Sequence, residues 1–387
     1  MKVGYFVETP VEHNLTGGSR SFLNFIEILK EQDVEPFVVV SESWALTEEL
    51  EKMNIPVLVS KMYRPFIGTI NRVKFYRLKY QIKRMINSKA KRGAIKWFRD
   101  NGVQIVHINS QFAGIVGCQV AQELKIPYVY HIREYLDSDF GIQFYNQKLV
   151  DDYIKTANRI IAISQSIQSF YERKFNRKLE LVYNGLPVYE NTYEGYKVRL
   201  RDDMVRLVIV GRVTDAKGQM EAVEALKILV KEYGYKNLVL HIVGYMGKDL
   251  YELKVKKFID DNGIENHVVL HSFTNSPFEI SKKCDIGLTC SAAEAFGRIT
   301  VEYMLASLFT IGANTGGTPE IILDRESGLL YKQGDSRELA NKIKWTIEHK
   351  DDANRMIWMG QNRALDNFAI TATAREIRRV YGELVGN

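Results

Sequence analysis

Three cysteines in 387 residues, Cys118, Cys284 and Cys290, are too few and too apolar in their surroundings to form a disulfide framework. That scarcity points to a reducing compartment. No apolar stretch approaches the roughly 20 residues needed to cross a bilayer. The opening Met1-Lys-Val-Gly-Tyr-Phe-Val meets Glu8 too soon for the apolar core of a signal peptide, so a cytoplasmic protein is expected. Neither G-x-G-x-x-G nor a P-loop occurs, which removes the two commonest phosphate-cradling signatures. Acid is missing from one segment: residues 61–99 hold 13 Lys and Arg and no Asp or Glu.

What is present reads as two globular halves. The length suits two domains, and 45% hydrophobic with 26% charged residues is an ordinary soluble composition. The net charge of +6 lies wholly in the first half: residues 1–190 carry 26 basic and 20 acidic side chains, residues 191–387 carry 27 of each. Strand patterns recur at 3–7, 36–40, 56–59, 104–108, 127–131 and 159–163, with helical patterns at 19–31, 111–124, 146–157 and 164–174. A polar stretch at 188–204 reads as a linker. The rhythm then restarts, with strands at 205–210, 238–243, 267–270, 285–289 and 308–311. Helices are expected at 218–232, 248–262, 277–283, 297–306 and 336–349, and two more across 353–384. Strands alternating with helices predict parallel sheets, hence two Rossmann-like doubly wound α/β domains facing each other across a cleft, with the last helix, 369–387, packing back towards the first domain. Ligands of such sheets bind at the carboxyl ends of the strands.

The chemistry concentrates there in the second half. Residues 291–302 follow an apolar strand and carry Glu294 in a small-residue loop and Glu302 on the next helix; both carboxylates are suited to accept hydrogen bonds from sugar hydroxyls. Gly211-Arg212 follows a strand, and Lys217-Gly218 opens a helix. An Arg fork and a Lys point charge at a helix N-terminus form a compact site for a diphosphate. In the first half, Gly17-Gly18 precedes a helix and permits close backbone approach to an anion. His131 ends a strand where it is expected to face the cleft, beside Arg133 and Glu134; His107 and His13 are weaker candidates. Asp137-Ser-Asp139 has the spacing of a metal-binding D-x-D, but it sits in a polar loop of a common composition.

Gly211-Arg212 with Lys217-Gly218, Glu294-Ala-Phe-Gly followed by Glu302, Gly316-Gly-Thr-Pro-Glu-Ile-Ile322 and Gly328-Leu-Leu330 resemble the family-4 glycosyltransferases of the GT-B fold. The resemblance implies a retaining transfer of a sugar from a nucleotide-diphosphate sugar, UDP before GDP, to an acceptor hydroxyl. It implies an acceptor-binding domain over 1–187 and a nucleotide-sugar-binding domain over 205–368. Arg212 and Lys217 would hold the diphosphate, Glu294 the transferred sugar, and Glu302 the ribose. Phe296, Gly297, Arg298 and Ile299 would line the donor pocket, and His131 would act with Glu294 at the reacting centre. Arg133 and Asn184 would border the acceptor or sugar. No carboxylate nucleophile is evident, so front-face transfer is expected, with the departing phosphate helping to take the acceptor proton. Preorganised cations meet the growing negative charge, so neither metal nor cofactor is expected. A nucleotide-sugar epimerase on the same fold and a non-catalytic nucleotide-sugar-binding subunit are the alternatives. The second would be expected to lose one of Arg212, Lys217, Glu294 and Glu302, and all four are present. A sugar phosphorylase would need a pyridoxal-binding lysine motif, and none stands out.

In the acid-free segment, Arg72, Lys74, Arg77, Lys79, Lys83 and Arg84 interleave with Val73, Tyr76, Leu78, Tyr80 and Ile82. A basic amphipathic helix of this kind suits an anionic membrane surface, or is a solvated face; an otherwise enzyme-like chain argues against nucleic acid. The membrane reading implies a protein peripheral at the inner face of a bacterial membrane, with a lipid-linked saccharide or glycolipid as acceptor in surface polysaccharide synthesis.

Overall fold

A computed structural model describes residues 1–7, 15, 17–63, 76–109, 114–135, 144, 146–188, 197, 199–200, 204–274 and 276–386, with the backbone alone for 76–80. It divides into two compact units, Met1–Gly185 with Ile370–Asn387, and Leu186–Ala369. The first boundary falls two residues before the expected one. Most of the expected linker, 188–204, lies outside the described residues, as do His13, Asp137 and Asp139.

Unit 1 runs β1 (Lys2–Phe6), α1 (Gly17–Glu31), β2 (Glu35–Val40), α2 (Ala45–Lys52), β3 (Val57–Val59) and α3 (Tyr76–Asn101). It continues with β4 (Ile105–Ile108), α4 (Gly114–Leu124), β5 (Tyr128–Ile132), α5 (Gln147–Lys155), β6 (Arg159–Ala162), α6 (Gln165–Phe175) and β7 (Glu180–Leu181). All pairings are parallel, in the order β3-β2-β1-β4-β5-β6-β7. Such strands are covered on both faces, which is why they read as largely apolar runs. Helix α1 begins at Gly17, two residues earlier than its pattern suggests, and buries Phe22, Phe25, Ile26 and Leu29.

Unit 2 runs β8 (Val205–Val210), α7 (Gln219–Lys227), β9 (Leu238–Val243), α8 (Leu250–Asp261), β10 (Val268–His271) and α9 (Pro277–Ser281). Then come β11 (Ile286–Thr289), α10 (Arg298–Leu305), β12 (Phe309–Ala313), α11 (Thr318–Ile321), β13 (Leu329–Tyr331), α12 (Ser336–Glu348) and α13 (Lys350–Asn367). Helix α7 passes into a π-helical turn over Ile228–Glu232. The parallel order is β10-β9-β8-β11-β12-β13. Strand β13 and helices α2 and α11 have no counterpart among the sequence-based expectations, because segments of three to eight residues carry too few periods to register.

In each sheet the order reverses at one place, between β1 and β4 in unit 1 and between β8 and β11 in unit 2. Loops that leave adjacent strands on opposite faces open a crevice there. The last helix, α14 (Ile370–Val385), belongs to unit 1 and packs on α1, burying Ile370, Ala374, Ile377, Val380 and Tyr381 in the same core as Phe22 and Phe25.

Candidate active site

The unit 2 crevice is assembled by backbone before any charge is added. After β8 the chain makes a 3-10 turn, Asp215–Lys217, and reverses through Gly218 at φ +70°. A Cβ on Gly218 would lie 2.2 Å from the Cys290 carbonyl oxygen, so only glycine lets this loop meet the end of β11. Buried Gln219 clamps the same loop: its Nε2 donates to the Arg212 carbonyl (3.1 Å) and its Oε1 accepts from the Thr214 N–H (3.2 Å). Ala292 N–H donates to Ala216 O (3.0 Å), and Thr315 Oγ1 donates to Ser291 O (2.9 Å). Gly317 N–H donates to Glu294 O (2.7 Å), with Gly316 so close that a Cβ there would meet the same oxygen. The loops after β8, β11 and β12 are thus tied into one rigid corner.

Charge is placed on that corner in two pairs. Lys217 Nζ lies 2.7 Å from Glu294 Oε2; the carboxylate is largely buried and the lysine about two-fifths exposed. On α10, Arg298 Nε donates to Glu302 Oε1 at 2.9 Å, one helical turn apart. Arg212 is exposed. Helix α10 is locked in place by the Thr289–Thr300 hydroxyl contact (3.0 Å) and by the Val210 N–H donating to Tyr303 Oη (3.0 Å). Thr300 N–H donates to Gly297 O (2.9 Å), while the N–H groups before it have no intrahelical acceptors, as in any helix.

The side chains of two expected donor-pocket residues pack inward. The Phe296 ring is buried, edge-on to Phe368 at 5.8 Å between centroids, where an aromatic gains most area. Ile299 likewise packs beside the Val208, Val243 and Tyr303 cluster. Gly297 and Arg298 remain at the helix start.

One contributor was missed from sequence. Glu252, 2% exposed, accepts from the N–H groups of Met246 and Lys248 (2.7 Å each) and Asp249 (3.3 Å), and so shapes the loop after β9. The capping-box spacing Asp249-x-x-Glu252 was its available signal.

Unit 1 holds a buried polar cluster. His131 on β5, expected to face the cleft, is wholly buried beside His107 on β4, with Nδ1 3.2 Å from His107 Nε2. The register pairs His107 with Val129, two residues before His131, so the two histidines are diagonal neighbours on one face of the sheet. His107 Nδ1 lies 2.6 Å from Tyr381 Oη on α14, 274 residues away in the chain, a partner no local pattern could reveal. Arg133 donates from Nε and Nη2 to Asn109 Oδ1 (3.1 and 2.8 Å) and from Nη1 to Asn184 Oδ1 (2.8 Å), and lies over the Phe25 ring. Burial, and then the Arg133 charge, hold both imidazoles well below the ordinary histidine pKa. Burial brings Arg133 itself down to about 10. Gly17 and Gly18 form the exposed first turn of α1.

Of the basic segment, Arg72 and Lys74 lie outside the described residues, and so do the side chains of Arg77 and Lys79. Lys83 is half-buried over the Tyr63 ring (5.7 Å), and Arg84 is exposed. The carboxyl half of α3 is anchored through Ala90, Ala94, Ile95 and Phe98, whereas Ile82 and Met85 on its amino half are 50% and 73% exposed. Among the described residues no helix is long and apolar enough to cross a membrane.

Known proteins supply the context for this geometry. The model of glycosyl transferases group 1 matches residues 196–363, and that of Glycosyltransferase Family 4 matches residues 15–189. The capsular polysaccharide biosynthesis glycosyltransferase CapM of Staphylococcus aureus is 23% identical over 297 residues, 72% of this chain and 76% of CapM. A Campylobacter jejuni 4-alpha-N-acetylgalactosaminyltransferase, named for a diphospho-undecaprenol-linked substrate, is 23% identical over 174 residues, 44% of this chain and 45% of its own. The crystal structure of Anabaena HepE in complex with UDP superposes with a TM-score of 0.80 at 20% identity, covering 99% of this chain and 100% of HepE. Two parallel-sheet units, both family models and these relatives agree, and the chain belongs to the group 1 glycosyltransferases of the GT-B fold.

Proposed function

We propose that the enzyme moves a hexose from a UDP-sugar to a hydroxyl of a lipid-carried saccharide, with retention of anomeric configuration. The observation that carries this reading is the Lys217–Glu294 pair at the β8–β11 switch point, with Arg212 on the adjoining loop and α10 starting beside Glu294. Cleaving the anomeric bond leaves a nucleoside diphosphate. Arg212, Lys217 and the N–H groups at Gly297 and Arg298 are suited to take that charge, and in this reading no metal is required. Diphosphate binding draws Lys217 away from Glu294 and frees the carboxylate for the sugar hydroxyls. Glu302, oriented by Arg298, receives the ribose. His131, with Arg133 and Asn184 near it, contacts the sugar at the reacting centre. No further carboxylate is assigned as nucleophile, so the acceptor hydroxyl attacks the face the phosphate leaves, and the phosphate takes its proton. UDP is favoured by its presence in HepE, and a lipid carrier by the Campylobacter relative. The exposed Ile82 and Met85 flanking Arg84 suit an anionic lipid surface near such an acceptor.

A melting screen against UDP, GDP and ADP tests the donor. Ligand at 100 times its Kd stabilises by about 2.7 kcal/mol, which raises the transition by several degrees. UDP should do so, and a flat response to all three would sink the reading.

A further inference from the structure

Among the described residues, His131 Nε2 is a buried nitrogen with no hydrogen-bond partner. Such an atom is costly to leave unmatched, and its protonation state determines which group can satisfy it. Resting on the reading above that His131 meets the sugar, we propose that His107 and Tyr381 are positioning residues which, with Arg133, hold the ring proton of His131 on Nε2, making it a hydrogen-bond donor to an oxygen of the sugar substrate.

The assignment follows from what each neighbour can do. Arg133 Nη2 lies 3.4 Å from His131 Nδ1, and a guanidinium only donates. Nδ1 therefore carries the lone pair, and the proton of the ring sits on Nε2. His107 Nε2, 3.2 Å from that same Nδ1, also donates to it, which leaves His107 Nδ1 as an acceptor. Its neighbour at 2.6 Å is the Tyr381 hydroxyl, which must then give its proton to the imidazole. A competing order exists, because the Tyr381 hydroxyl can instead donate to Tyr5 Oη at 3.1 Å. In that order His107 donates from Nδ1 to Tyr381, His131 donates from Nδ1 to His107, and His131 Nε2 is bare. The Arg133 charge decides between them, since in that order it would face an N–H at Nδ1 across 3.4 Å. Both imidazoles stay neutral, because burial and Arg133 oppose any second proton. Tyr381 comes from the far end of the chain, so α14 contributes a group to this network as well as closing the core.

Histidine 15N-labelling of the full chain tests the assignment directly. Long-range 1H–15N spectra of the unliganded protein should show His131 and His107 with Nε2 protonated and Nδ1 bare; a His131 protonated on Nδ1 overturns the proposal. With UDP-glucose as probe, Tyr381→Phe should lower kcat for UDP release roughly 10- to 100-fold, by analogy with the partners that orient metal-bound imidazoles. KM and the melting shift given by UDP should stay unchanged. His107→Gln, whose amide N–H can stand in for Nε2–H, should retain more rate than His107→Leu. Equal losses in those two variants, or a change in KM alone, would show a merely structural role and overturn the proposal. If the unaltered protein releases no UDP from any UDP-hexose, the proposed function fails, while the spectra still decide this inference.

Discussion

Lowering the pH from 6.5 to 5.5 should loosen unit 1 by about 2 kcal/mol, and the buried histidine pair is the reason. His107 and His131 are held well below the usual histidine pKa, first by burial and then by the positive charge of Arg133. In the folded protein they remain neutral, whereas in the unfolded chain each titrates near 6.5. The unfolded state therefore binds more protons, and stability present above that value is lost as the pH falls through it. Over this one unit an unfolded histidine goes from half to nine-tenths protonated, which is about 1 kcal/mol per residue. Arg133, at about 10, and the Tyr5 and Tyr381 hydroxyls, both raised, do not titrate here. His241 and His271 in unit 2 are lowered too, so the readout must be local. Amide hydrogen exchange of β4 and β5, corrected for intrinsic rate, reports the opening of unit 1 alone. In the double variant His107→Gln, His131→Gln the pH slope should nearly vanish. A slope equal to that of the unaltered protein would refute the claim that these two rings stay unprotonated in the fold.

Three further outcomes are expected. Glu294→Gln should abolish transfer to acceptor yet keep the melting shift given by UDP, since the carboxylate is assigned to the sugar and not the diphosphate; retained turnover would unseat it. Gly218→Ala places a Cβ 2.2 Å from the Cys290 carbonyl oxygen at positive φ, and should cost more than about 1 kcal/mol in urea unfolding. Reversing Arg84 and Lys89 on α3 to glutamate should reduce co-sedimentation with anionic vesicles more than about tenfold, each basic residue near the surface being worth about 1 kcal/mol. Unchanged sedimentation would leave α3 as a solvated face.

Much of this molecule is legible in one dimension. Parallel strands covered on both faces are nearly continuous apolar runs, so 205–210 and 238–243 stand out with their true limits, despite Arg206 and His241. Arg212, Lys217 and Glu294 lie in loops that follow strands, and Glu302 lies on the helix after one, so the doubly wound order brings them towards one corner. Tertiary structure decided the rest. It paired Lys217 with Glu294 and Arg298 with Glu302, turned Phe296 into the core, and made Glu252 the holder of a loop. It also buried His131 against His107 and brought Tyr381 to them from 274 residues beyond His107. The difference has a physical cause. Periodicity and turn chemistry are local and repeat along the chain, while a side chain's partner, burial and proton depend on which strands are neighbours and which helix returns to cover them.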